Sequence, residues 1–161
     1  MPSHSLRDIK PTDATWIFEA CQDEQIQYWT TVPKPYLMEH AISFANGKTN
    51  EKKVWVIEDL SKKEVGVISI HGVDENGNAE IGYWVAAWGR GMGATKDAIA
   101  ALAEYAKTQS DINSIQATIS DLNYASQAVA IASGLTKAEA AAKTCPAGGV
   151  ETNATYYRKD L

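Results

Sequence analysis

Three glycines alternate in one short segment of the chain, Gly89, Gly91 and Gly93, directly before a stretch with helical periodicity. A glycine-rich turn lets successive backbone N–H groups converge on an anion, and the amino terminus of the following helix adds partial positive charge. The segment therefore predicts a site for a phosphate or a pyrophosphate. The alternative is a tight turn whose glycines serve only a close contact between helix and strand.

The spacing of these glycines argues against two common nucleotide-binding loops. The Walker pattern Gly-x-x-x-x-Gly-Lys-Ser/Thr is absent from the sequence. The dinucleotide pattern Gly-x-Gly-x-x-Gly has a different spacing and belongs early in a parallel α/β chain, whereas an antiparallel meander is predicted before this turn. A nucleotide-binding protein is therefore the weakest of the functions considered.

Two titratable residues precede the turn on neighbouring predicted strands, Glu80 at the start of one and His71 at the end of the other. A carboxylate among apolar and aromatic neighbours is suited to general base catalysis, and an imidazole titrates near neutral pH. Each residue also has a structural alternative. Glu80 is then a solvated carboxylate beside a turn, and His71 is a structural histidine.

Asn123 and Ser126 are three residues apart, so both lie near one face at the start of a predicted helix. They are candidates for ligand contacts. Asn123 is equally well explained as the N-cap of that helix, and Ser126 as a second capping residue or a small residue in packing. Tyr124 lies between them and is expected to project from a different face.

The segments around these residues predict the elements that position them. Apolar β-branched runs predict strands at 54–57, 65–71 and 80–85, joined by a polar turn and by an Asn-Gly hairpin turn. These three strands are expected to form an antiparallel meander that leads into the glycine turn. Helices are predicted after Pro11, at 23–29, at 37–45, between Gly93 and Ser110, and at 123–133.

The remaining strands are predicted at 5–9, 114–119, 136–142 and 152–158, with Pro146 in the loop between the last two. The order of elements predicts an α+β fold, mostly antiparallel, with one strand–turn–helix–strand crossover.

The composition predicts one globular domain over residues 1–161, with 45% apolar and 22% charged residues. The two cysteines form no metal-binding pattern, so no metal is expected. A net charge of −5 argues against nucleic acid as a partner. No apolar run approaches the ~20 residues of a membrane span, and a cytoplasmic location is expected.

The elements and motifs together resemble the Gcn5-related N-acetyltransferase (GNAT) superfamily and, within it, the ribosomal-protein-alanine acetyltransferase (RimJ/RimL-like) branch. The matching segments are 80–84, 88–93, 123–126 and 133–135, together with 6–9 and 29–36 near the start. The resemblance covers nearly the whole chain. It implies a GNAT fold, a mixed and mostly antiparallel sheet of about six to seven strands flanked by helices, and acetyl-CoA as co-substrate.

The glycine turn is similar to the superfamily's pyrophosphate loop, Gln/Arg-x-x-Gly-x-Gly/Ala, with Trp88 in place of Gln or Arg. The resemblance implies that backbone amides of residues 90–94 hold the phosphates, that Arg90 adds positive charge, and that the amide of Val85 polarises the thioester carbonyl. The residues implied to bind acetyl-CoA are Val85, Trp88, Gly89, Arg90, Gly91, Met92, Gly93, Ala94, Asn123 and Ser126.

The resemblance also implies acetyl transfer to a primary amine by direct attack in a ternary complex. Glu80 is the expected general base, and Ser126 is the expected proton donor to the sulfur, with Tyr124 as its alternative. The expected acceptor-binding residues are Trp29, Tyr36, His71 and Glu80.

The acceptor is expected to be a small-molecule amine or a protein N-terminus, handled by a monomer or a homodimer, without nucleic acid, membrane or metal. The alternative is a non-catalytic sensor or partner-binding domain of the same fold that binds acyl-CoA.

Overall fold

The computed structural model describes residues 2–138 and 143–161, and its centre is a mixed sheet. The strands are β1 (His4–Asp8), β2 (Lys53–Asp59), β3 (Glu64–Val73), β4 (Asn78–Val85), β5 (Ser114–Ser120), β6 (Thr136–Lys137), β7 (Lys143–Ala147) and β8 (Val150–Asp160). The helices are α1 (Ala14–Ala20), α2 (Glu24–Trp29), α3 (Met38–Ala45), α4 (Ala94–Lys107) and α5 (Tyr124–Ala132). None of the described helices is long and apolar enough to cross a membrane.

The order of strands across the sheet is β1-β2-β3-β4-β5-β8-β6, and β7 pairs with β8. The pairing of β4 with β5 is parallel, and the other strand pairs are antiparallel. The α+β fold and the mostly antiparallel mixed sheet are therefore confirmed. The described residues form eight strands rather than six to seven, because the end of the chain supplies three of them.

The prediction for the loop around Pro146 was wrong, since this residue lies in β7. β7 pairs with β8 as the outer strand of a hairpin, and an edge position tolerates the missing N–H of proline. Of the strand predicted at 136–142, β6 covers only its first two residues. Residues 139–142 of that prediction lie outside the described residues.

The sheet separates two apolar clusters because its strands alternate between its faces. α4 packs on one face, where Ile99 and Leu102 bury their side chains against Ile68 of β3 and Ile115 of β5. On the other face α1 and α3 pack against residues such as Val56 of β2. Each strand side chain therefore faces either the α4 layer or the α1–α3 layer, which decides where each polar residue can act.

The meander is held by the hairpin predicted between β3 and β4. Asp74 Oδ1 accepts hydrogen bonds from the amides of Asn76 and Asn78, both at 2.9 Å, and Gly77 adopts φ +81°. The register then shifts between Ile70 and Gly72. A shift of this kind is a β-bulge, which changes the direction of the side chain within it, here His71.

A buried ion pair joins β1 to the segment before α1. Arg7 donates to both carboxylate oxygens of Asp13, at 2.7 and 2.9 Å, and to Glu58 at 2.7 Å. Asp13 is 1% exposed and also accepts from the Lys10 amide and the Trp16 indole. Burial raises the pKa of Asp13, but the hydrogen bonds outweigh it and the net shift of the pKa is downward.

We expect Asp13→Asn to lower the free energy of unfolding by about 3 kcal/mol, because it removes the buried carboxylate partner of the partly buried Arg7 guanidinium. The lowered pKa means that the wild type has this stability above the unfolded-state pKa of about 3.9 and loses it as the pH falls through the folded-state pKa. Urea unfolding at neutral and acid pH measures both the loss of stability in Asp13→Asn and the pH dependence of the wild type's stability. The control is Asp8→Asn, which breaks the exposed pair with Lys53 and should cost less than about 1 kcal/mol. Equal losses in the two variants would contradict the role of Asp13.

Candidate functional site

The sheet opens between β4 and β5. These parallel strands pair at three positions, ending with Glu80 opposite Gln116. Beyond that point β4 remains paired to β3, and β5 remains paired to β8. We call the opening between residues 81–85 of β4 and 117–120 of β5 the fork. It provides a passage from one face of the sheet to the other.

A cleft of about 1240 Å³ runs through the fork. Both sides of the fork line it, and so do residues of α2, α3, α5 and β7. This volume exceeds the range of about 300–1,000 Å³ that is typical of small-ligand pockets. The cleft can therefore accommodate a long ligand or two ligands that meet in the fork.

Glu80 lies where the ladder ends, and its carboxylate spans the fork. Its Oε1 accepts hydrogen bonds from the Thr118 amide at 3.2 Å and from the Thr118 hydroxyl at 2.5 Å. Its Oε2 is buried, and no hydrogen bond to it comes from the described residues. One oxygen therefore replaces a backbone acceptor for β5, while the other is available as an acceptor inside the cleft.

His71 and Glu51 lie beside Glu80 on the α1–α3 face of the cleft. The imidazole of His71 occupies the space above Gly82, where a Cβ atom would lie 2.4 Å from His71 Nε2. His71 Nδ1 is hydrogen-bonded to Glu51. This bond, reinforced by the charges of Glu51 and Glu80 and opposed by burial, raises the pKa of His71. The arrangement favours an imidazolium between two carboxylates.

The backbone of β4 presents hydrogen-bond donors to the fork. The Ala86 amide donates to Val65 O at 2.8 Å. Because hydrogen-bonded and non-hydrogen-bonded pairs alternate in an antiparallel ladder, the amides of Trp84 and Gly82 also face β3. The amides of Val85 and Tyr83 therefore face the fork, which makes the Val85 amide available to a ligand there.

The start of α5 faces the fork from the α4 side. Asn123 Oδ1 accepts a hydrogen bond from the Ser126 amide at 3.2 Å. Asn123 is therefore the N-cap of α5, which was the structural alternative to a ligand contact. Ser126 Oγ lies 2.7 Å from the hydroxyl oxygen of Tyr83. Both Asn123 and Ser126 line the cleft. Tyr124 is 73% exposed and does not line the cleft.

The glycine loop, residues 88–93, connects β4 to α4. Gly91 and Gly93 adopt φ +76° and +79°, and a Cβ atom at either would meet nothing within 4 Å. Conformation rather than crowding therefore requires glycine there. The described part of the chain supplies no acceptor for the amides of residues 91–96. These donors and the positive end of α4 form a suitable site for an anion.

Two residues of the loop, Trp88 and Gly89, make contacts within the protein, and their binding of acetyl-CoA stays a prediction. Trp88 is 42% exposed, and its indole donates to Glu64 O at 2.9 Å. Gly89 donates its amide to Ala86 O and is packed so closely that a Cβ would lie 2.7 Å from Val65. These contacts fix the turn against β3.

Arg90 lines the cleft but does not offer an unpaired charge. Its guanidinium contacts the carboxylate of Asp23 at 2.5 and 3.3 Å, and this hydrogen bond lowers the pKa of Asp23. Asp23 also caps α2 by accepting from the Ile26 amide at 3.0 Å. Arg90 therefore ties the glycine loop to α2 across the mouth of the cleft.

The aromatic residues predicted on the acceptor side line the cleft at α2 and at the segment before α3. Trp29 is partly exposed and contacts the Tyr28 ring edge-on, with ring centroids 4.5 Å apart. Tyr36 is 5% exposed and belongs to the α1–α3 core. Tyr36 thus serves as a core anchor as well as a wall of the cleft.

Sequence reasoning missed three residues of this site: Tyr83, Thr118 and Glu51. Thr118 and Tyr83 carried a signal, because strand alternation places Thr118 between two apolar positions of β5 and Tyr83 on the α4 face of β4. Their partners are 38 and 43 residues away in the chain. Glu51 lies before β2, and no pattern marks it.

Comparison with protein families gives a match between residues 5–136 and the model described as acetyltransferase (GNAT) domain. No curated protein sequence gives a significant match.

Solved structures with the same fold include three whose ligands are known. RimL, a ribosomal alpha-N-protein acetyltransferase in complex with coenzyme A, is 19% identical with a TM-score of 0.85, covering 100% of this chain and 96% of that one. The microcin C7 self-immunity acetyltransferase MccE, in complex with acetyl-CoA and AMP, is 21% identical with a TM-score of 0.83, covering 100% and 94%. Mycobacterium smegmatis RimJ, in complex with CoA-disulfide, is 20% identical with a TM-score of 0.82, covering 98% and 82%. At these identities the likeness is one of fold.

We expect Glu51→Gln to lower the pKa of His71 relative to the wild type, because the hydrogen bond that His71 donates to the Glu51 carboxylate is the largest cause of its raised value. Titration of the imidazole resonances by NMR measures the change. Glu39→Gln, which neutralises an exposed acid of α3, is the control and should leave the titration of His71 unchanged. An unaltered His71 titration in Glu51→Gln would contradict the arrangement of charges in the cleft.

Proposed function

The chain belongs to the acetyltransferase (GNAT) family, and on this premise we propose that it transfers an acetyl group from acetyl-CoA to a primary amine. The fork carries the proposal. It brings an outward-facing strand amide, a buried carboxylate oxygen and a helix-start hydroxyl to one cleft, continuous with a loop of unused amides. Acetyl transfer requires each of these groups.

The coenzyme side of the proposal rests on the glycine loop and α5. The amides of residues 91–96, at the positive end of α4, are suited to the pyrophosphate. The thioester then lies in the fork, where the Val85 amide donates to its carbonyl oxygen. A donor that is fixed by the β3–β4 ladder needs no reorganisation as negative charge develops on this oxygen.

The acceptor side rests on Glu80 and its surroundings. Oε2 of Glu80 takes a proton from the amine, directly or through water, while Oε1 stays bonded to Thr118. Trp29 and Tyr36 provide the aromatic wall that favours a cationic acceptor. An ammonium group of a small amine or of a protein N-terminus meets these requirements.

The reaction then proceeds by direct attack in a ternary complex. Loss of one proton to Glu80 converts the ammonium to a neutral amine, whose nitrogen forms a C–N bond with the acetyl carbon. The C–S bond breaks with its electron pair passing to sulfur, and the nitrogen gives its second proton to water of the cleft. The Ser126 hydroxyl gives its proton to the thiolate and is reprotonated by water of the open cleft. Glu80 releases the amine's proton to the same water, so that the products are the acetylated amine and the free thiol of coenzyme A.

We expect Gly93→Ala to weaken the binding of acetyl-CoA at least about tenfold, equivalent to ~1.4 kcal/mol. A Cβ at φ +79° strains the loop that presents the amides. Isothermal titration calorimetry measures the change. Gly47→Ala is a matched control, since Gly47 has φ +78° and equally open surroundings but follows α3. Similar affinities of the wild type and Gly93→Ala would count against phosphate binding at this loop.

We expect Glu80→Gln to reduce kcat about 100-fold while the affinity for acetyl-CoA is retained. The amide oxygen of glutamine still accepts both hydrogen bonds from Thr118, so the fork is kept and only the proton acceptor is lost. Steady-state kinetics of amine-dependent thiol release test this. Glu75→Gln, in the exposed hairpin turn, is the control. A variant with unchanged kcat would remove Glu80 from the chemistry.

A further inference from the structure

Tyr83 lines the cleft from inside the core, and it neither gives nor takes a proton in the proposed acetyl transfer. Its ring lies on the α4 face of β4 and packs against the core cluster of that face. Its hydroxyl oxygen lies 2.7 Å from Ser126 Oγ, at the start of α5. The hydrogen bond therefore joins one side of the fork to the hydroxyl expected to face the sulfur.

The chemistry of the two hydroxyl groups decides which of them donates. Each carries one hydrogen and can also accept, but a phenol has a pKa near 10 and is far more acidic than an alkyl alcohol. The phenol is therefore the better donor, and Ser126 Oγ is the acceptor. Burial raises the pKa of Tyr83 further, so the phenol keeps its proton through the neutral range.

The hydrogen bond donated by the Tyr83 phenol orients the hydroxyl group of Ser126. With one of its lone pairs occupied by the phenol proton, the serine hydroxyl hydrogen is turned away from Tyr83. The backbone of Ser126 is itself held by the Asn123 cap, so the hydroxyl can rotate only about its own side chain. The open side of Ser126 Oγ is the cleft that it lines.

We propose that Tyr83 is a positioning residue, which by donating to Ser126 Oγ directs the serine hydroxyl hydrogen toward the sulfur of acetyl-CoA. This inference rests on the proposed acetyl transfer. Tyr83 keeps its proton throughout and touches neither substrate. The proton that reaches sulfur is that of Ser126, as in the reaction described above.

A double-mutant cycle separates this role from simple packing, in which the phenol merely satisfies its own hydrogen bond. The variants are Tyr83→Phe, Ser126→Ala and the double variant, assayed by thiol release with saturating amine. We expect Ser126→Ala to lower kcat about 100-fold and Tyr83→Phe about tenfold, with KM for acetyl-CoA within about twofold of the wild type. The double variant should equal Ser126→Ala, because Tyr83 acts only through the serine.

The control is Tyr105→Phe, which removes the hydroxyl of another tyrosine packed against the same core cluster but outside the cleft. Its kcat should be that of the wild type. Thermal unfolding of each variant detects any loss of fold, and Tyr83→Leu repeats the cycle with a second side chain that lacks the hydroxyl.

Three results overturn the inference, and wild-type turnover distinguishes the first two from the third. In the first two results the wild type turns over normally. Either the losses of kcat in the two single variants multiply in the double variant, or Tyr83→Phe retains full kcat. Each of these means that Tyr83 has no role through Ser126. If the wild type releases no thiol in the presence of any amine, the proposed function fails, and the role of Tyr83 fails with it.

Discussion

The hydrogen bonds between Glu80 and Thr118 hold the sheet open at the fork. Two parallel strands that stop pairing leave a buried amide on β5, and an unsatisfied buried donor costs about 1–3 kcal/mol. The Glu80 carboxylate removes this cost by accepting from the Thr118 amide and hydroxyl. A side chain thus replaces a ladder bond, and the backbone of β4 beyond it is released to face a ligand. The outward amide of Val85 and the position of Ser126 both depend on this separation.

The fork also explains why the two halves of the site come from opposite faces of one sheet. The glycine loop, α4 and α5 lie on one side, while Trp29, Tyr36 and His71 lie on the other. A reaction between two substrates needs both halves at a fixed distance, and the continuous β3–β4 ladder provides this. The contact between Arg90 and Asp23, at 2.5 Å, joins the glycine loop to α2. Arg90 therefore connects the two sides, and its contribution of charge to phosphate binding stays a prediction.

Local signals explain which parts of this architecture the sequence predicts well. The Asn-Gly turn, the helix periodicities and the glycine-rich turn before α4 depend on near neighbours in the chain, and the structure agrees with them. Pro146 was wrongly predicted to lie in a loop. A strand tolerates proline at the edge of a sheet, and no local pattern reveals that this segment pairs with β8 as an edge strand. Tyr83 and Thr118 act through partners 43 and 38 residues distant. Strand alternation indicates which face of the sheet each of the two residues occupies. Their contacts arise only when the strands are placed side by side, so the sequence could not identify their partners.

The account is tested most directly by thiol release from acetyl-CoA across a panel of small primary amines and peptides with free N-termini. It predicts release of coenzyme A thiol in a one-to-one ratio with an acetylated amine, and only when an acceptor amine is present. If acetyl-CoA binds to the chain but no amine or peptide in the panel promotes thiol release, catalysis at the fork is contradicted. The same fold would then act as an acyl-CoA-binding domain without turnover.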